Sequence, residues 1–582
     1  MRRFAHPLAL LLAASLAFPT LAQVPPAPPA PPAPPAPPAV PAPPPPPPPG
    51  PVVVVPPAPP PGPDVPAPPA PPAPPVPPAN ALEQFAAAIP GVVVRYDSLR
   101  QENDNLVAEG VTFVRRMPGG GTDESQKLYV KRIEATGLDV AAFETVFDPM
   151  SYAGARDEAF RTLIAMLTLT ELSVLVDEKQ VFAVANWTVD GLQMKQFPFI
   201  PGGPEFLQQF VSKDALPVQM AGGFLDSFKV AAIQMNGINA EYDAAAFAGM
   251  MPGGPAAARA GMGGLTKYSV QEIRQEDIDR GRFGKVTMVG LASSTAIPEF
   301  NGEMSFAISD AFWDGGDISR LVPYLVKGEW PPLDRAPLVT YGRGCANNYN
   351  WSITGVGALN VPSYCVEAVP FVWLIPEKGE VAFKGTFTPV PASESVWPAY
   401  VAKHFTGPAD FEVQIGFEYE PNYGTASLTH YRVRLGGFGE IDWMGTAGGF
   451  VFEELGTLPQ TYAQKISFVT AALRVVDEGG VQKFLEMAAD ASNPPGQTQV
   501  TPDALRAQAV AALDMGVGML GATPEARALV DAIKGFLNDG GTLEIKAEPA
   551  APLTLPAFDA LAGLPPAEIL KTLGVTATHT EP

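Results

Sequence analysis

Val130-Lys131-Arg132-Ile133-Glu134-Ala135-Thr136-Gly137-Leu138-Asp139 sets two apolar residues three apart, a glycine four further on, then an apolar and a polar residue. The form returns as Val184, Trp187, Gly191, Leu192, Gln193 and as Val230, Ile233, Gly237, Ile238, Asn239. Val270, Ile273, Asp277, Ile278, Asp279 is a fourth copy with aspartate in the glycine place, and Phe283, Val286, Gly290, Leu291, Ala292 is a fifth. Successive copies start 54, 46, 40 and 13 residues apart, so the chain has no solenoid period. The Val, Ile, Thr and Gly content favours strand over helix. Residues i and i+3, however, lie on opposite faces of a flat strand. Each unit therefore calls for a β-bulge, or for a strand buried on both sides. Chance similarity among the strands of one sheet would leave the same trace.

Strand texture surrounds these units. Val92 to Tyr96, Asn105 to Arg115 and Gln126 to Glu134 are rich in Val, Thr, Phe and Tyr and are broken by Gly and Asp clusters. Strands are expected again from Leu338 through Thr388. Phe411 to Tyr419 and Ser427 to Trp443 read as a hairpin turning at Glu420 to Gly424. Four stretches in this part read as helix: Asn80 to Pro90 with Asn80 as N-cap, Pro149 to Leu169 with Ala159, Leu163, Met166 and Leu167 on one face, one turn over Leu321 to Leu325 after Asp317, and Ser393 to His404. Near Leu455 the texture turns helical. Pro459 to Val476, Val481 to Ala489 and the openings Thr501-Pro502-Asp503 and Thr523-Pro524-Glu525 are helix signals. Thr542 to Lys546 returns as a strand, and Pro565 to Leu573 is a last helix before a frayed tail. The expected class is α+β: a large antiparallel β-rich body over 80–454, then a mostly helical portion over 455–582.

Ahead of the body stand two segments of other kinds. Met1 to Gln23 has Arg2 and Arg3, an apolar run Leu8 to Phe18 and small residues at Thr20-Leu21-Ala22, the parts of a secretory signal peptide. Kept uncleaved, it would be an anchor, though its apolar run is shorter than the ~20 residues of a spanning helix. Residues 24–79 are almost wholly proline and alanine. Such a tract forms neither helix nor sheet and is expected as an extended, disordered stalk reaching ~170 Å at about 3.1 Å per residue. The expected location is the periplasm or the extracellular space.

The chain carries 38 Lys and Arg against 60 Asp and Glu, a net charge of −22. That balance argues against a nucleic-acid partner and against anionic head groups as the attraction. Cys345 and Cys365 are its two cysteines, and in an exported chain one disulfide is expected, closing a loop worth roughly 3 kcal/mol. Histidine occurs at positions 6, 404, 430 and 579, which leaves little for a zinc site or a Ser-His-Asp triad. No phosphate-loop, nucleophile-elbow or zincin motif is present, and no cofactor is implied. Asp310, Asp314 and Asp317, around Gly315-Gly316, are a calcium candidate; a turn with a helix cap explains the same residues. Glu276, Asp277, Asp279, Glu299 and Glu303 could pair for glycoside hydrolysis. Trp187, Trp313, Trp351, Trp373 and Trp443 could stack sugars, face lipid or fill a core.

Tyr96-Asp97-Ser98-Leu99, Leu106 to Val111, the Ile133…Gly137-Leu138-Asp139 units and Phe536 to Leu543 together resemble the AsmA and YdgA-like group of bacterial envelope proteins. The resemblance implies a largely β-structured periplasmic protein without an enzyme active site, in a group some of whose members handle lipid along an apolar β-groove. The proline stalk and the cleavable signal depart from that group, which usually keeps an N-terminal anchor. The leading expectation is thus an exported, non-enzymatic protein that binds lipid or an envelope protein through a β-sheet groove. A secreted glycan hydrolase and a purely structural scaffold are the alternatives. A continuous aliphatic groove would favour the first, and a Trp-lined cleft with paired carboxylates the second.

Overall fold

The computed structural model describes residues 80–582 apart from 89–91, 118–120, 148–156, 197–215, 244–264, 298–301, 392, 458–460, 462–463, 494–498, 520 and 522. The signal, the stalk and Glu299 lie outside the described residues. Long β-branched and aromatic runs separated by short turns give an antiparallel meander. Its strands are β1 Ser98–Glu102, β2 Asn105–Arg116, β3 Thr122–Thr136, β4 Arg161–Val176, β5 Lys179–Met194 and β6 Phe228–Asp243. Next come β7 Leu265–Asp279, β8 Val286–Ile297, β9 Gly302–Asp314, β10 Arg343–Ile353, β11 Gly357–Val366 and β12 Lys378–Pro389. The last are β13 Ala409–Glu420, β14 Thr425–Leu435, β15 Gly439–Gly448, β16 Ser467–Asp477, β17 Thr542–Ala547 and β18 Val575–Thr580. Each pairs antiparallel with the next, within a 22-stranded sheet that includes a few short strands.

Helices sit at the margins. α1 Ala81–Ala88 opens with the Glu83 amide donating to Asn80 Oδ1 at 2.9 Å, the expected N-cap. Three helices are inserted between β16 and β17: α2 Gly480–Ser492, α3 Pro502–Met519 and α4 Pro524–Asp539. Thr523 caps α4 by accepting from the Ala526 amide, with Pro524 in its first turn. α4 lies on β18 at Gly535, where an added Cβ would stand 2.4 Å from His579 Nδ1.

The repeats mark two creases that cross the sheet. On one line, as the registers place them, lie Gly110, Lys131, Glu171, Ala185, Gly237, Gln271, Gly290, Ser309 and Asn348, on β2 to β10 in order. Every second member has left-handed backbone: Gly110, Glu171, Gly237, Gly290 and Asn348, with φ of 62°, 49°, 64°, 64° and 51°. A second line runs through Gly137, Ala165, Gly191, Ala231, Asp277 and Gly284, with Gly137, Gly191 and Asp277 left-handed at 64°, 64° and 52°. Each repeat copy therefore starts one residue before one crease and sets its glycine place, Gly or Asp277, on the left-handed residue of the other. The expected bulge is absent at the repeats: the register runs unbroken through both creases, so each strand turns there without an extra residue. The crease carries the apolar side across it: Val130 and Ile133, three apart around Lys131, are both buried, as are Val270 and Ile273 around Gln271. Glycine is required where the creases are tight: a Cβ on Gly137 would lie 2.5 Å from Ala165 Cβ, and one on Gly237 2.9 Å from Ala185 Cβ.

Three further expectations are overturned. Residues 149–169 were expected to hold a helix, but β4 begins at Arg161, because a crease at Ala165 converts a period of two into the i, i+3 spacing of a helix. Residues 459–476 were expected as helix, but Ser467–Asp477 is a strand paired on both sides; Val469, Ala471, Leu473 and Val475 alternate, and pairing outweighs local propensity. The expected frayed tail is β18. The sheet consequently does not stop at 455 but continues to the end of the chain, with the helices as an insertion.

Candidate functional site

Directly paired residues of an antiparallel sheet share a face. Followed from strand to strand, the register gives one row: Leu99, Ala108, Ile133, Leu169, Trp187, Met235, Ile273, Met288 and Ala311 from β1 to β9. It continues as Ala346, Tyr364, Phe383, Val413, Val433, Ile441, Val475, Leu543 and His579 from β10 to β18. Every member up to Leu543 is apolar or aromatic. At about 4.8 Å per strand the row follows roughly 80 Å of sheet. The row two residues to one side includes Leu106, Ala135, Leu167, Val189, Ile233, Val286, Trp313, Val366, Val381, Ile415, Tyr431, Trp443, Leu473 and Ile545, interrupted by Gln275 and Gly344.

The opposite face is polar along the same strands. Glu134, Thr168, Thr188, Gln234, Arg274 and Thr287 lead across Phe312, Cys345, Cys365 and Ala382 to Gln414, Arg432, Asp442, Arg474, Glu544 and Thr578. Ion pairs bind neighbouring strands there. Arg432 donates to Asp442 Oδ2 at 2.8 Å and to Gln414 Oε1 at 3.2 Å, and Arg474 donates to Glu440 at 2.7 Å. Asp442, 1% exposed, also meets His430 Nδ1 at 3.2 Å. Hydrogen bonding to Asp442 lifts the Arg432 guanidinium above its usual range.

Cover divides the apolar face in two. Beside the first crease, Val111, Val130, Leu172, Val184, Ile238 and Val270 pair in sequence and are each under 2% exposed. Over β13 to β15 the same face is bare: Ile415, Tyr431 and Val433 are exposed, Ile441 is 53% exposed and Trp443 57%. Between the halves, Phe306, Tyr349 and Tyr364 form an aromatic group with centroids 5.8 and 6.4 Å apart. Burial raises the phenols of Tyr349 and Tyr364 above the ordinary range and pushes Tyr268 up to about 12.

The other candidates fall into place around this face. Cys345 and Cys365 are directly opposed on β10 and β11 and form the expected disulfide, on the polar side. Of the repeat positions, Ile133, Trp187 and Ile233 line the apolar rows, and Gly137, Gly191 and Gly237 are crease residues. Leu138, Leu192 and Ile238 resume the apolar face beyond the creases. The calcium candidates are not assembled. Asp310 and Asp314 stand four residues apart on an extended strand, roughly 13 Å, too far to share an ion held at 2.3–2.6 Å by each ligand. Asp310 accepts from Asn347 at 2.6 Å, and Asp317 lies 3.4 Å from Arg282 and accepts from the Ser319 amide. Among the described residues no group of three or more His, Cys, Asp or Glu is placed to hold a metal ion.

The carboxylates considered for glycan hydrolysis do not share a cleft lined by tryptophan. Glu276 pairs with Arg274 at 2.7 Å, Asp279 pairs with Lys229 and Arg280, and Asp277 is a crease residue. A concavity of about 530 Å³ crosses β5 to β11. Its lining mixes Ser269, Ser294 and Ser305 with Glu241, Lys267 and Trp351, and none of the carboxylates considered for hydrolysis is part of it. Trp187, Trp313, Trp351 and Trp443 are on the apolar face by register, whereas Trp373 packs against the small cluster of Val372, Tyr419 and Phe452. Sequence reasoning missed Ile415, Tyr431, Val433 and Ile441; their alternation with Arg432, Arg434 and Asp442 was the available signal.

No helix among the described residues is long and apolar enough to cross a membrane. A family model described only as an uncharacterized protein matches residues 432–580, from within β14 to the last residue of β18. No curated protein and no solved structure matches the chain.

Proposed function

We propose that this chain is an exported, non-enzymatic carrier that holds the hydrocarbon of a lipid against the apolar face of its sheet, entering over β13 to β15. The observation that carries this reading is the unbroken apolar row from Leu99 to Leu543. An acyl chain contributes about 0.8 kcal/mol for each methylene it removes from water, and needs no hydrogen bond in return. An exposed Ile441 and Trp443 beside Val433 and Tyr431 supply such a surface, whereas a scaffold gains nothing by leaving them in water. The AsmA and YdgA-like resemblance points the same way. Export rests on the signal-like N-terminus, and the disulfide fits an oxidising compartment such as the periplasm.

Native mass spectrometry of the full secreted chain, purified with cell-extracted lipid present, tests the reading. A co-purifying lipid, lost in Val433→Asp/Ile441→Asp with the fold intact, is the expected result. A lipid-free mass that is unchanged after phospholipid is added would overturn it.

A further inference from the structure

The two edges of the sheet are finished differently. At the first, β1 and the short strand Val92–Arg95 lie side by side on β2. Arg95, Arg100 and Glu102 put charge along that edge, and α1 stands next to it through Tyr96, which donates to Glu83 at 2.8 Å. At the second edge, among the described residues, β18 pairs with β17 alone. Its sequence, Val575-Thr576-Ala577-Thr578-His579-Thr580, has no Lys, Asp, Glu or Pro, and Thr576, Thr578 and Thr580 are exposed on the polar side. Natural sheets blunt free edges with charge, proline or a bulge, and β18 has none of these.

We infer that β18 is a pairing edge and that its partner is β18 of a second copy, antiparallel about a two-fold axis. The strand is self-complementary. The two registers centred on the strand that keep polar face with polar face put Ala577 opposite itself, or Thr578 opposite itself. In the first Thr576 faces Thr578, in the second Thr576 faces Thr580, so in both only threonines meet on the polar side. Threonine pairs across strands are favourable, and no like charges oppose each other at the axis. The apolar rows of the two copies would then join at their His579 ends.

Sedimentation of the full chain over a wide concentration range, with charge-swapped variants, tests this. The wild-type chain is expected to dimerise reversibly. Thr576→Lys/Thr578→Lys and Thr576→Glu/Thr578→Glu should each weaken the dimer by about tenfold or more, and an equimolar mixture of the two should restore it as a heterodimer. A chain that stays monomeric throughout overturns the inference, as does a dimer indifferent to the lysine pair. Hydrogen exchange on the wild-type chain needs no variant: amides of 575–580 should become protected as concentration rises through the transition, and unchanged exchange there would contradict the pairing.

Discussion

Between Val111 on β2 and Val270 on β7 the apolar face is sealed; between Ile415 on β13 and Trp443 on β15 the same face lies open to water. Both regions are antiparallel meander with one apolar and one polar side. What separates them is the backbone. The strands of the sealed region are crossed by two lines of left-handed residues, set in unbroken register. Among the described residues from β13 to β16, left-handed backbone occurs in the connections, at Gly424, Gly437 and Gly449, and at Gly439, the first residue of β15. Register shifts at Gly416/Phe417, Leu428/Tyr431 and Thr446/Ala447 interrupt the open half, and its apolar side chains stay exposed beside them.

The largest contrast should come from one charge placed in either region. Val184→Asp puts a carboxylate at a fully buried site and should cost roughly 4 kcal/mol or more, enough to abolish cooperative unfolding in urea. Ile441→Asp should change stability by less than about 1 kcal/mol. Equal losses would mean that the open half is covered too.

The creases themselves come next. Gly237→Val forces a β-branched residue into left-handed backbone beside Ala185 and should cost about 2–4 kcal/mol. Gly445→Val, in the uncreased β15, meets only Thr470 O at 3.4 Å and should cost under about 1 kcal/mol. Asp277→Gly relieves left-handed strain and should stabilise by at most about 1 kcal/mol, read as a rise in thermal midpoint.

A smaller effect is expected with pH in the open half. Arg434 donates to Glu478 at 2.8 and 3.0 Å and holds its carboxyl below the usual range. The unfolded chain takes up that proton at the higher pH. The stabilisation is therefore complete above the ordinary carboxylate range and fades as pH falls through the lowered value. Glu478→Gln should lower the thermal midpoint slightly at neutral pH and flatten its fall on acidification. The smallest signal is spectroscopic: Tyr268 should ionise near 12, about two units after exposed tyrosines, and Tyr268→Phe should remove that late step from an ultraviolet titration.

Much of the fold was legible where residue chemistry is local. Val and Thr runs named most strands, Asn80 and Thr523 named their caps, and the Gly137, Gly191 and Gly237 units marked the left-handed positions, though not as the bulges expected. The rest depended on pairing. Leu163 and Leu167 looked helical because a crease shifts the strand's phase, and Val575 to Thr580 became a strand by lying against β17. Of the candidate site, the separate residues Trp187 and Trp443 were visible, but their membership of one face was not. That follows from the register of strands hundreds of residues apart, which no short window contains. Asp310, Asp314 and Asp317 looked like a cluster in sequence because extended strand geometry, which holds them apart, is invisible in spacing alone.

Photo-crosslinking with a phospholipid bearing a diazirine in its acyl chain, followed by peptide mapping, tests the central claim most directly. Adducts are expected on the tracts holding Ile415, Tyr431, Val433, Ile441 and Trp443, and not on their polar-face neighbours Arg432, Asp442 and Arg474. Labelling spread evenly over both faces, or absent from these tracts, would contradict an apolar face that is closed in one half and open to lipid in the other.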